Sequence, residues 1–409
     1  MVVNIVFVEP FFPRNQREFV RALAGVGATI VGIGEYPLES FDDDLRGWLY
    51  HYEQVPSVTD VDRMTETVRW IQSKLWVDRL EATIEAHTMA AAEVRERTDI
   101  PGTSVRTAWL CRDKPSMKQV LREAGVPTAA STAADSVAEV HSFAEAIGFP
   151  LILKPRAGAG AAGTVQVRDT AELEAALGVF GAEGTASIAV EEFVEGHEGF
   201  YDTLSINGAA AHDFVSHYYP NVLEAMRTQW ISPQFIATNR IDEAPEYEEL
   251  REMGRRVSVA LGIATSATHM EWFFGPKGLR FSEIGCRPPG VGAWDLYSAD
   301  NEMDLYREWA MAIVNGATER RASRRYAAGM VALRPEGDGT ITGYSGVDAA
   351  QAAMGEWVID AHFPDPGTPT QPVEAGYMAN AYVRMRHPDF DTLRGMLDEV
   401  GRSITVHAG

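Results

Sequence analysis

Two glutamates, Glu271 and Glu283, are candidates to face each other across a predicted β-hairpin. They lie in THMEWFFGPKGLRFSEIG, whose two apolar halves flank a Gly-Pro-Lys-Gly turn and predict two antiparallel strands. Opposed carboxylates repel each other unless a cation separates them, and magnesium is often held by carboxylates together with substrate phosphates. A five-residue loop from Gly275 to Leu279, or a bulge, places both glutamates on one face. A four-residue loop would place them on opposite faces.

A glycine-rich segment is the second candidate for chemistry. Gly158, Gly160 and Gly163 follow the predicted strand 151–155 with the spacing G-x-G-x-x-G, and the segment TVQVRD that comes next predicts another strand. A dinucleotide-binding turn requires a helix after the glycines, and a Walker A loop requires Lys-Ser or Lys-Thr, so both are excluded. Two interpretations remain: a flap whose backbone N–H groups bind phosphate oxygens, and a simple mobile hairpin tip.

Lysine is rare in this chain, and two lysines lie in or next to these segments. Only five of the 36 basic residues are lysines. Lys154 lies within the apolar run LILKP, where an unpaired charge would be costly, so we expect it to have an anionic partner. Lys114 lies in the first turn of a helix predicted over 113–129, with Asp113 as the expected N-cap. A solvated lysine is the alternative for Lys114.

The elements that must position these residues follow a mixed pattern. The chain begins with a strand, a helix and a strand, as is typical of an open α/β sheet. From about residue 321, short strands and turns predict a small α+β unit. The predicted strands are 3–9, 29–35, 151–155, 164–168 and 187–194, and the predicted helices are 15–28, 77–98, 113–129, 136–148, 170–178 and 246–263.

Composition disfavours several function classes. The net charge of −22 disfavours nonspecific binding to nucleic acid or to anionic membranes. The chain lacks the run of 18 or more apolar residues that a membrane span requires, and its N-terminus does not have the pattern of a signal peptide. Cys111 and Cys286 are too far apart in sequence for a metal motif and form no disulfide framework. We therefore expect a cytoplasmic protein.

Four segments, taken together in this order, resemble the ATP-grasp superfamily and, within it, the carboxylate–amine ligases. They are RDKPSMKQVL around Lys114, the strand and glycine loop around Lys154, VEEFVEGHEG at 190–199, and the glutamate hairpin at 269–290. Each segment alone is weak, whereas four with the expected spacing are specific. The resemblance covers roughly residues 105–320.

The resemblance implies an α/β and α+β protein with an ATP-grasp fold. It divides the chain into three parts. These are an N-terminal open α/β (pre-ATP-grasp) domain at 1–111, an ATP-grasp core at 112–320 with a glycine-tipped lid at about 125–190, and a small C-terminal α+β domain at 321–409.

The resemblance also implies a role for each candidate residue. Glu271 and Glu283 match the metal ligands, and Arg287 and Lys154 match catalytic residues that face the reacting group. Gly285 departs from the pattern, because many members carry a metal-binding Asn there. The implied nucleotide-binding residues are Lys114 and Lys154 for phosphates, Gly158, Gly160 and Gly163 in the flap, Glu191, Glu192, Phe193 and Val194 around adenine (through the Glu192 carbonyl and the Val194 N–H), and Glu198 for the ribose hydroxyls.

The implied activity is ATP-dependent ligation with ATP and Mg²⁺, or Mn²⁺, as cofactors. A small-molecule carboxylate is activated as an acyl phosphate and joined to a small-molecule amine. We expect no nucleic-acid or membrane partner, and a homodimer is a further expectation. Other ATP-grasp chemistry (carboxylation, a formyl-phosphate or purine-biosynthetic step) and non-catalytic ATP binding are the alternatives. Candidates for the acceptor side, or else for the core or rim, are His212, His217, Tyr218, Tyr219, Arg227, Trp230, Trp294, Asp295 and Arg334.

Overall fold

The N-terminal region forms a parallel sheet flanked by helices. The computed structural model describes residues 2–156, 163–182 and 187–409. The first elements are β1 (Asn4–Val8), α1 (Gln16–Gly25), β2 (Thr29–Gly34), α2 (Asp43–Trp48), β3 (His51–Gln54), α3 (Val61–Gln72), β4 (Arg79–Glu81), α4 (Thr88–Arg97) and α5 (Val105–Leu110). The strand order is β3-β2-β1-β4. The apolar residues of β1 and β2 are buried, as the predicted open α/β sheet requires.

The helix predicted over 77–98 is wrong in its first half. Arg79–Glu81 form β4, which pairs in parallel with β1, and the α-helix begins only at Thr88. The apolar spacing of this segment fits a helix, but Leu80 is fully buried beside Val6 in the sheet. Burial against β1 therefore outweighs the local helical pattern. The predicted first strand, first helix and second strand are confirmed.

A second, antiparallel sheet carries Lys154 and the acidic strand end. Its region contains α6 (Lys114–Glu123), β5 (Ser131–Ala134), α7 (Val137–Ile147), β6 (Leu151–Pro155), β7 (Val165–Val167), α8 (Thr170–Ala182) and β8 (Ile188–Glu192). The strand order is β5-β8-β6-β7, so the strand of Lys154 lies next to that of Glu191. Gly163 lies in an exposed turn, whereas Gly158 and Gly160 fall outside the described residues.

The largest sheet crosses the predicted domain boundary at residue 320. The remaining elements are β9 (His197–Ile206), β10 (Ala209–Tyr219), α9 (Val222–Ala225), β11 (Gln234–Ala237), α10 (Glu246–Leu261), β12 (Ser266–Gly275), β13 (Gly278–Gly285), α11 (Ala293–Asn301), α12 (Leu305–Asn315), β14 (Ala327–Leu333), β15 (Ile341–Ser345), α13 (Val347–Met354), β16 (Val358–His362), β17 (Ala381–His387), α14 (Phe390–Ser403) and β18 (Thr405–Ala408). Within the described residues, eight strands follow the order β13-β12-β9-β10-β11-β14-β17-β16. The predicted C-terminal unit thus extends the central sheet, and the domain boundaries stay a prediction.

The glutamate hairpin has a tight turn and a bulge. Gly275 pairs with Gly278, so two residues form the turn and the predicted five-residue loop is wrong. The predicted alternative, a bulge, is present next to Glu271, and it brings Glu271 opposite Glu283. Without the bulge, the tight turn would shift the register by one residue and separate the two carboxylates onto opposite faces.

Candidate active site

A cavity of about 450 Å³ lies between the small antiparallel sheet and the hairpin end of the large sheet. Lys154 and Glu191 line it from the small sheet, and Glu198, Glu271 and Glu283 line it from the large one. This volume lies within the range of small-molecule pockets. Further predicted residues in its wall are Lys114, Glu192, Phe193 and Val194, whereas Arg287 lines a smaller neighbouring cavity.

Three of the five lysines meet two glutamates in this main cavity. Lys114 Nζ lies 3.1 Å from Glu283 Oε2, and Lys154 Nζ lies 2.8 Å from Glu191 Oε2. Lys118 Nζ lies 2.7 Å from the same oxygen of Glu191. Sequence reasoning missed Lys118, which is only 1% exposed. The signal that identifies it is its position four residues after Lys114, on the same face of one helix.

Asp113 fixes the start of the helix that carries two of these lysines. Its side chain accepts a hydrogen bond from the Ser116 N–H, so the predicted N-cap is confirmed. Arg156 donates to both carboxylate oxygens of Asp113, at 3.0 and 3.2 Å. Because Arg156 follows β6 directly, this ion pair ties the start of α6 to the end of the strand that carries Lys154.

The charges of the lysine cluster stabilise one another. Burial would raise the pKa of Glu191, but Lys118 and Lys154 lower it to about 2. Burial lowers the pKa of Lys118 to about 8 although Glu191 opposes this shift. Burial acts in the same direction on Lys154, yet Glu191 and Glu283 outweigh it and raise the pKa of Lys154. Glu191 is therefore the ionised partner of two ammonium groups.

At the strand end 191–194, the Glu192 carboxylate has hydrogen-bond and ion-pair partners, whereas one oxygen of the Glu191 carboxylate has no hydrogen-bond partner among the described residues. Glu191 Oε1 is buried and has no hydrogen-bond partner among the described residues, which is compatible with its predicted place near an amino group. The Glu192 side chain accepts from the Ala130 N–H over 3.1 Å and pairs with Lys277 in the hairpin turn. The Glu192 side chain therefore connects the two sheets. The adenine contacts predicted for the Glu192 carbonyl and the Val194 N–H stay predictions.

Glu198 lies in the wall between the hairpin and α9. Its Oε2 accepts from the Val222 N–H over 2.7 Å, and its own N–H donates to Asn221 Oδ1 over 3.0 Å. Burial raises the pKa of Glu198 to about 7, although the Val222 N–H lowers it. Among the described residues, Oε2 of Glu198 accepts one hydrogen bond, and a carboxylate also suits hydroxyl donors, so the ribose contact stays a prediction.

The opposed glutamates carry opposite pKa shifts. Burial and the charge of Glu283 raise the pKa of Glu271 to about 8. Burial acts in the same direction on Glu283, but Lys114 and Lys154 outweigh it and lower the pKa. A divalent cation between the two carboxylates would relieve the repulsion, so this donor pair fits one. In the described part of the chain, no three His, Cys, Asp or Glu side chains are grouped to hold an ion by themselves, so phosphate or water oxygens must complete the set.

Arg287 contacts an acidic residue that sequence reasoning missed. Its Nε donates to Glu85 Oε2 over 2.7 Å, and Arg112 also donates to the Glu85 carbonyl. Glu85 follows β4 in the N-terminal region, and no spacing in the sequence connects it with Arg287. A Cβ at Gly285 would lie 3.1 Å from Glu85 Oε2. The Glu85 carboxylate therefore occupies space beside Gly285, the position at which the resemblance implies an Asn.

The acceptor-side candidates separate into core residues and pocket residues. His212 is buried beside Glu308, and His217 bonds to His197 and Tyr247 at 2.9 and 2.8 Å, so neither lines the main cavity. Among the remaining candidates, Tyr218, Trp294 and Tyr219 pack with aromatic neighbours, and Asp295 pairs with Arg384. Arg227, Trp230 and Arg334 line a second cavity of about 350 Å³, and Arg227 lines the main cavity as well.

Comparisons with known proteins identify an ATP-grasp domain within this chain. Residues 119–302 match the family model of the ATP-grasp domain. The L-arginine-specific L-amino acid ligase of Bacillus subtilis is 27% identical over 251 residues, which cover 60% of this chain and 60% of that protein. The formate-dependent phosphoribosylglycinamide formyltransferase of Flavobacterium psychrophilum is 23% identical over 337 residues, which cover 81% of this chain and 83% of that protein. The crystal structure of an L-amino acid ligase from Bacillus licheniformis matches with a TM-score of 0.77 and 17% identity, over 100% of this chain and 99% of the other.

Residues 119–302 carry an ATP-grasp domain, and the predicted ATP-grasp fold is confirmed. The match spans about three fifths of the length of the first curated relatives. The structural likeness, at 17% identity, concerns the fold. Across residues 2–156, 163–182 and 187–409, no helix has the length and apolar character needed to cross a membrane.

Proposed function

We propose that this chain is an ATP-dependent ligase that activates a carboxylate as an acyl phosphate and joins it to an amine. The observation that carries the proposal is that three buried lysines and an opposed glutamate pair border one cavity. Ammonium groups suit the phosphate chain of a nucleotide. The glutamates suit its divalent cation, because their mutual repulsion is relieved only when a positive charge lies between them.

The proposed reaction has two steps. An oxygen of the substrate carboxylate attacks the γ-phosphorus of ATP, the bond to the bridging oxygen breaks, and ADP leaves. The nitrogen of a neutral amine then attacks the acyl carbon and loses a proton, and inorganic phosphate leaves as the amide forms. A cation held by Glu271 and Glu283 supplies charge neutralisation on the phosphoryl oxygens when it is bound.

The residues of this chain contribute mainly position and charge. Lys114 and Lys154 bind phosphate oxygens, and Lys118 keeps Glu191 ionised and in place between two ammonium groups. Strand β8 provides the hinge for the adenine ring, with Glu198 at the ribose. Arg287, held by Glu85, lies on the side of the glutamate pair away from the adenine strand. Such fixed charges lower the barrier because they need no rearrangement during the reaction.

An amino acid is the proposed carboxylate substrate. Two of the similar proteins named above are L-amino acid ligases. The second cavity offers a matching group: Arg334 NH2 is buried and has no hydrogen-bond partner within the described residues. A guanidinium binds carboxylates through paired N–H donors. We therefore assign Arg334 to the carboxylate of the second substrate, the one that supplies the amine and whose own carboxylate is not activated.

Formate activation is the second candidate function. The formyltransferase relative matches a larger share of both chains than the ligase relative does, at 81% and 83%. The first step is the same in both cases, because an oxygen of the acid attacks the γ-phosphorus. The two candidates differ in the acid that is activated and in the amine that follows.

Hydroxylamine trapping separates the two candidates. The full chain is incubated with ATP, Mg²⁺, hydroxylamine and one acid at a time, either an amino acid or formate. An acyl phosphate gives a hydroxamate together with an equal amount of ADP. Amino-acid hydroxamates support the ligase, and formyl hydroxamate alone supports the second candidate. The absence of any hydroxamate with either class of acid contradicts both.

A further inference from the structure

His269 lies in the hairpin directly opposite Gly285 and two residues before Glu271. Side chains two residues apart on a strand share one face, so the imidazole of His269 lies on the side of the carboxylate pair. Gly285 has no side chain, and the Glu85 carboxylate lies 3.1 Å from where a Cβ would be, so His269 and Glu85 share the space on this side of the strands. His269 and Gly285 line a small cavity of about 20 Å³, which is room for one water-sized species. Glu283 lines both this cavity and the main one.

A buried carboxylate fixes the orientation of this imidazole. Asp202 is 1% exposed and lies 2.7 Å from His269 Nδ1. The Tyr297 hydroxyl donates to the other oxygen of Asp202 over 2.6 Å. A carboxylate that accepts from a donor on each side makes Nδ1 the protonated nitrogen of the neutral ring, which leaves the lone pair on Nε2.

The Nε2 atom of His269 faces a carboxylate that we assign to the cation. The distance between His269 Nε2 and Glu271 Oε1 is 3.9 Å. Two neighbouring ligands of an octahedral ion with bonds of about 2.1 Å lie about 3 Å apart. The described residues hold no ready-made group of three such ligands, so the His269 and Glu271 side chains have to approach each other by about 1 Å for both atoms to bind one ion.

We propose that His269 Nε2 is a ligand of the divalent cation, next to Glu271, in place of the side chain that Gly285 lacks. Metal-binding histidines commonly donate their other ring N–H to a carboxylate, and Asp202 supplies that carboxylate here. The inference rests on the proposed function, in which Glu271 and Glu283 hold the cation of the nucleotide. His269 then supplies, from the neighbouring strand, the metal ligand that Gly285 cannot supply.

A histidine ligand changes which cation the site prefers. Mg²⁺ favours oxygen donors, whereas an imidazole nitrogen favours later divalent metals such as Co²⁺ and, relative to Mg²⁺, Mn²⁺. We therefore expect this chain to bind Mn²⁺ or Co²⁺ more tightly than Mg²⁺ in the presence of ADP. The competing account is an imidazolium of His269 that only pairs with the Glu271 charge and touches no metal.

Pulsed electron paramagnetic resonance of bound Mn²⁺ tests the assignment without any turnover. The full chain is loaded with Mn²⁺ and ADP, once with natural-abundance nitrogen and once with ¹⁵N-labelled histidine. The expected result is a nitrogen coupling typical of a bound imidazole that changes isotope with the label. Bound Mn²⁺ without any histidine coupling overturns the inference but leaves the proposed function intact. No Mn²⁺ binding at all, seen as an undiminished free-ion signal, overturns the metal site and the inference together.

Variants assign the coupling to one histidine. His269→Gln is expected to remove it and to lower Mn²⁺ affinity about tenfold or more, with a smaller effect on Mg²⁺. The double variant His269→Ala/Gly285→Asn restores an oxygen ligand and is expected to shift the preference back to Mg²⁺. His141, a half-buried residue that pairs with Glu174, is the control: His141→Ala should keep the coupling. A coupling that persists in His269→Gln contradicts the assignment.

Discussion

The two walls of the main cavity differ in how far their charges are balanced. On the wall formed by the small sheet, the single carboxylate of Glu191 is held by the ammonium groups of Lys118 and Lys154, and its pKa falls to about 2. On the hairpin wall, Glu271 faces Glu283, and its pKa rises to about 8. The charges of the lysine wall are therefore balanced by the protein itself, whereas we propose that a cation completes the hairpin wall.

The largest expected effect comes from the residue that connects the two walls. Glu283 Oε2 lies 3.1 Å from Lys114 and 3.9 Å from Lys154, and Glu283 faces Glu271. Glu283→Gln removes the charge that pairs with Lys114 and that we assign to the proposed cation. We expect turnover, measured as ADP release, to fall by about a hundred- to a thousandfold.

The fold should survive this change, which circular dichroism and thermal unfolding check. Glu195→Gln is the matched control, because Glu195 is an exposed carboxylate close to the same strand end. The control should retain full activity. Unchanged turnover in Glu283→Gln would remove the metal assignment.

The lysine wall is tested by Lys118→Met, which keeps most of the buried side-chain volume. Lys118 is 1% exposed, and its loss leaves Glu191 with a single ammonium partner. Breaking one partner of a buried ion pair costs about 3–5 kcal/mol. We expect a decrease of about 3 kcal/mol in the free energy of unfolding, measured in urea. A loss below about 1 kcal/mol would show that Lys154 alone holds Glu191.

The hairpin wall predicts a pH dependence of cation binding. Because the pKa of Glu271 is about 8, this carboxyl is protonated at pH 7 and the cation must displace the proton. Affinity should therefore rise with pH, by up to about tenfold per unit, and level off above about pH 8.

Calorimetric titration of Mg²⁺ in the presence of ADP, in two buffers of different ionisation enthalpy, measures both the affinity and the proton released. Mg²⁺ titrated into ADP alone corrects for the nucleotide. Glu271→Gln should abolish the pH dependence. An affinity that is constant between pH 7 and pH 8.5 would contradict the raised pKa.

The smallest effect is expected where the two walls meet at the surface. Lys277 in the hairpin turn pairs with Glu192 on β8, but the Lys277 side chain is 64% exposed. Exposed ion pairs contribute about 0–1 kcal/mol, so Lys277→Ala should change the free energy of unfolding by less than about 1 kcal/mol in urea. A loss above about 2 kcal/mol would mean that this contact fixes the relative position of the sheets.

Local patterns predicted much of the site. The alternation of apolar and polar residues in the hairpin restricted Glu271 and Glu283 to one face if a bulge was present, and the bulge is there. The N-cap role of Asp113 and the place of Lys154 in an apolar strand were also predicted from the sequence, because each depends on a few neighbouring residues.

Contacts between distant segments were not predicted. Lys118 meets Glu191 across 73 positions of sequence, and Glu85 meets Arg287 across 202. No local spacing encodes such a contact, since it depends on how whole sheets and helices pack. The strand at 79–81 was missed for the same reason: its burial beside β1 is decided by the sheet and not by its own residues.

The way the large sheet is built limits how the chain can be shortened. Strand β14 pairs with β11 on one side and with β17 on the other, although the family match ends at residue 302. A fragment that stops near residue 320 would keep the pairing of β11 with β10 but would leave unpaired the backbone groups of β11 that face β14, along a fully buried strand. Such an open edge recruits other chains and favours aggregation. We therefore expect the last ninety or so residues to be needed for the rest of the chain to remain monodisperse.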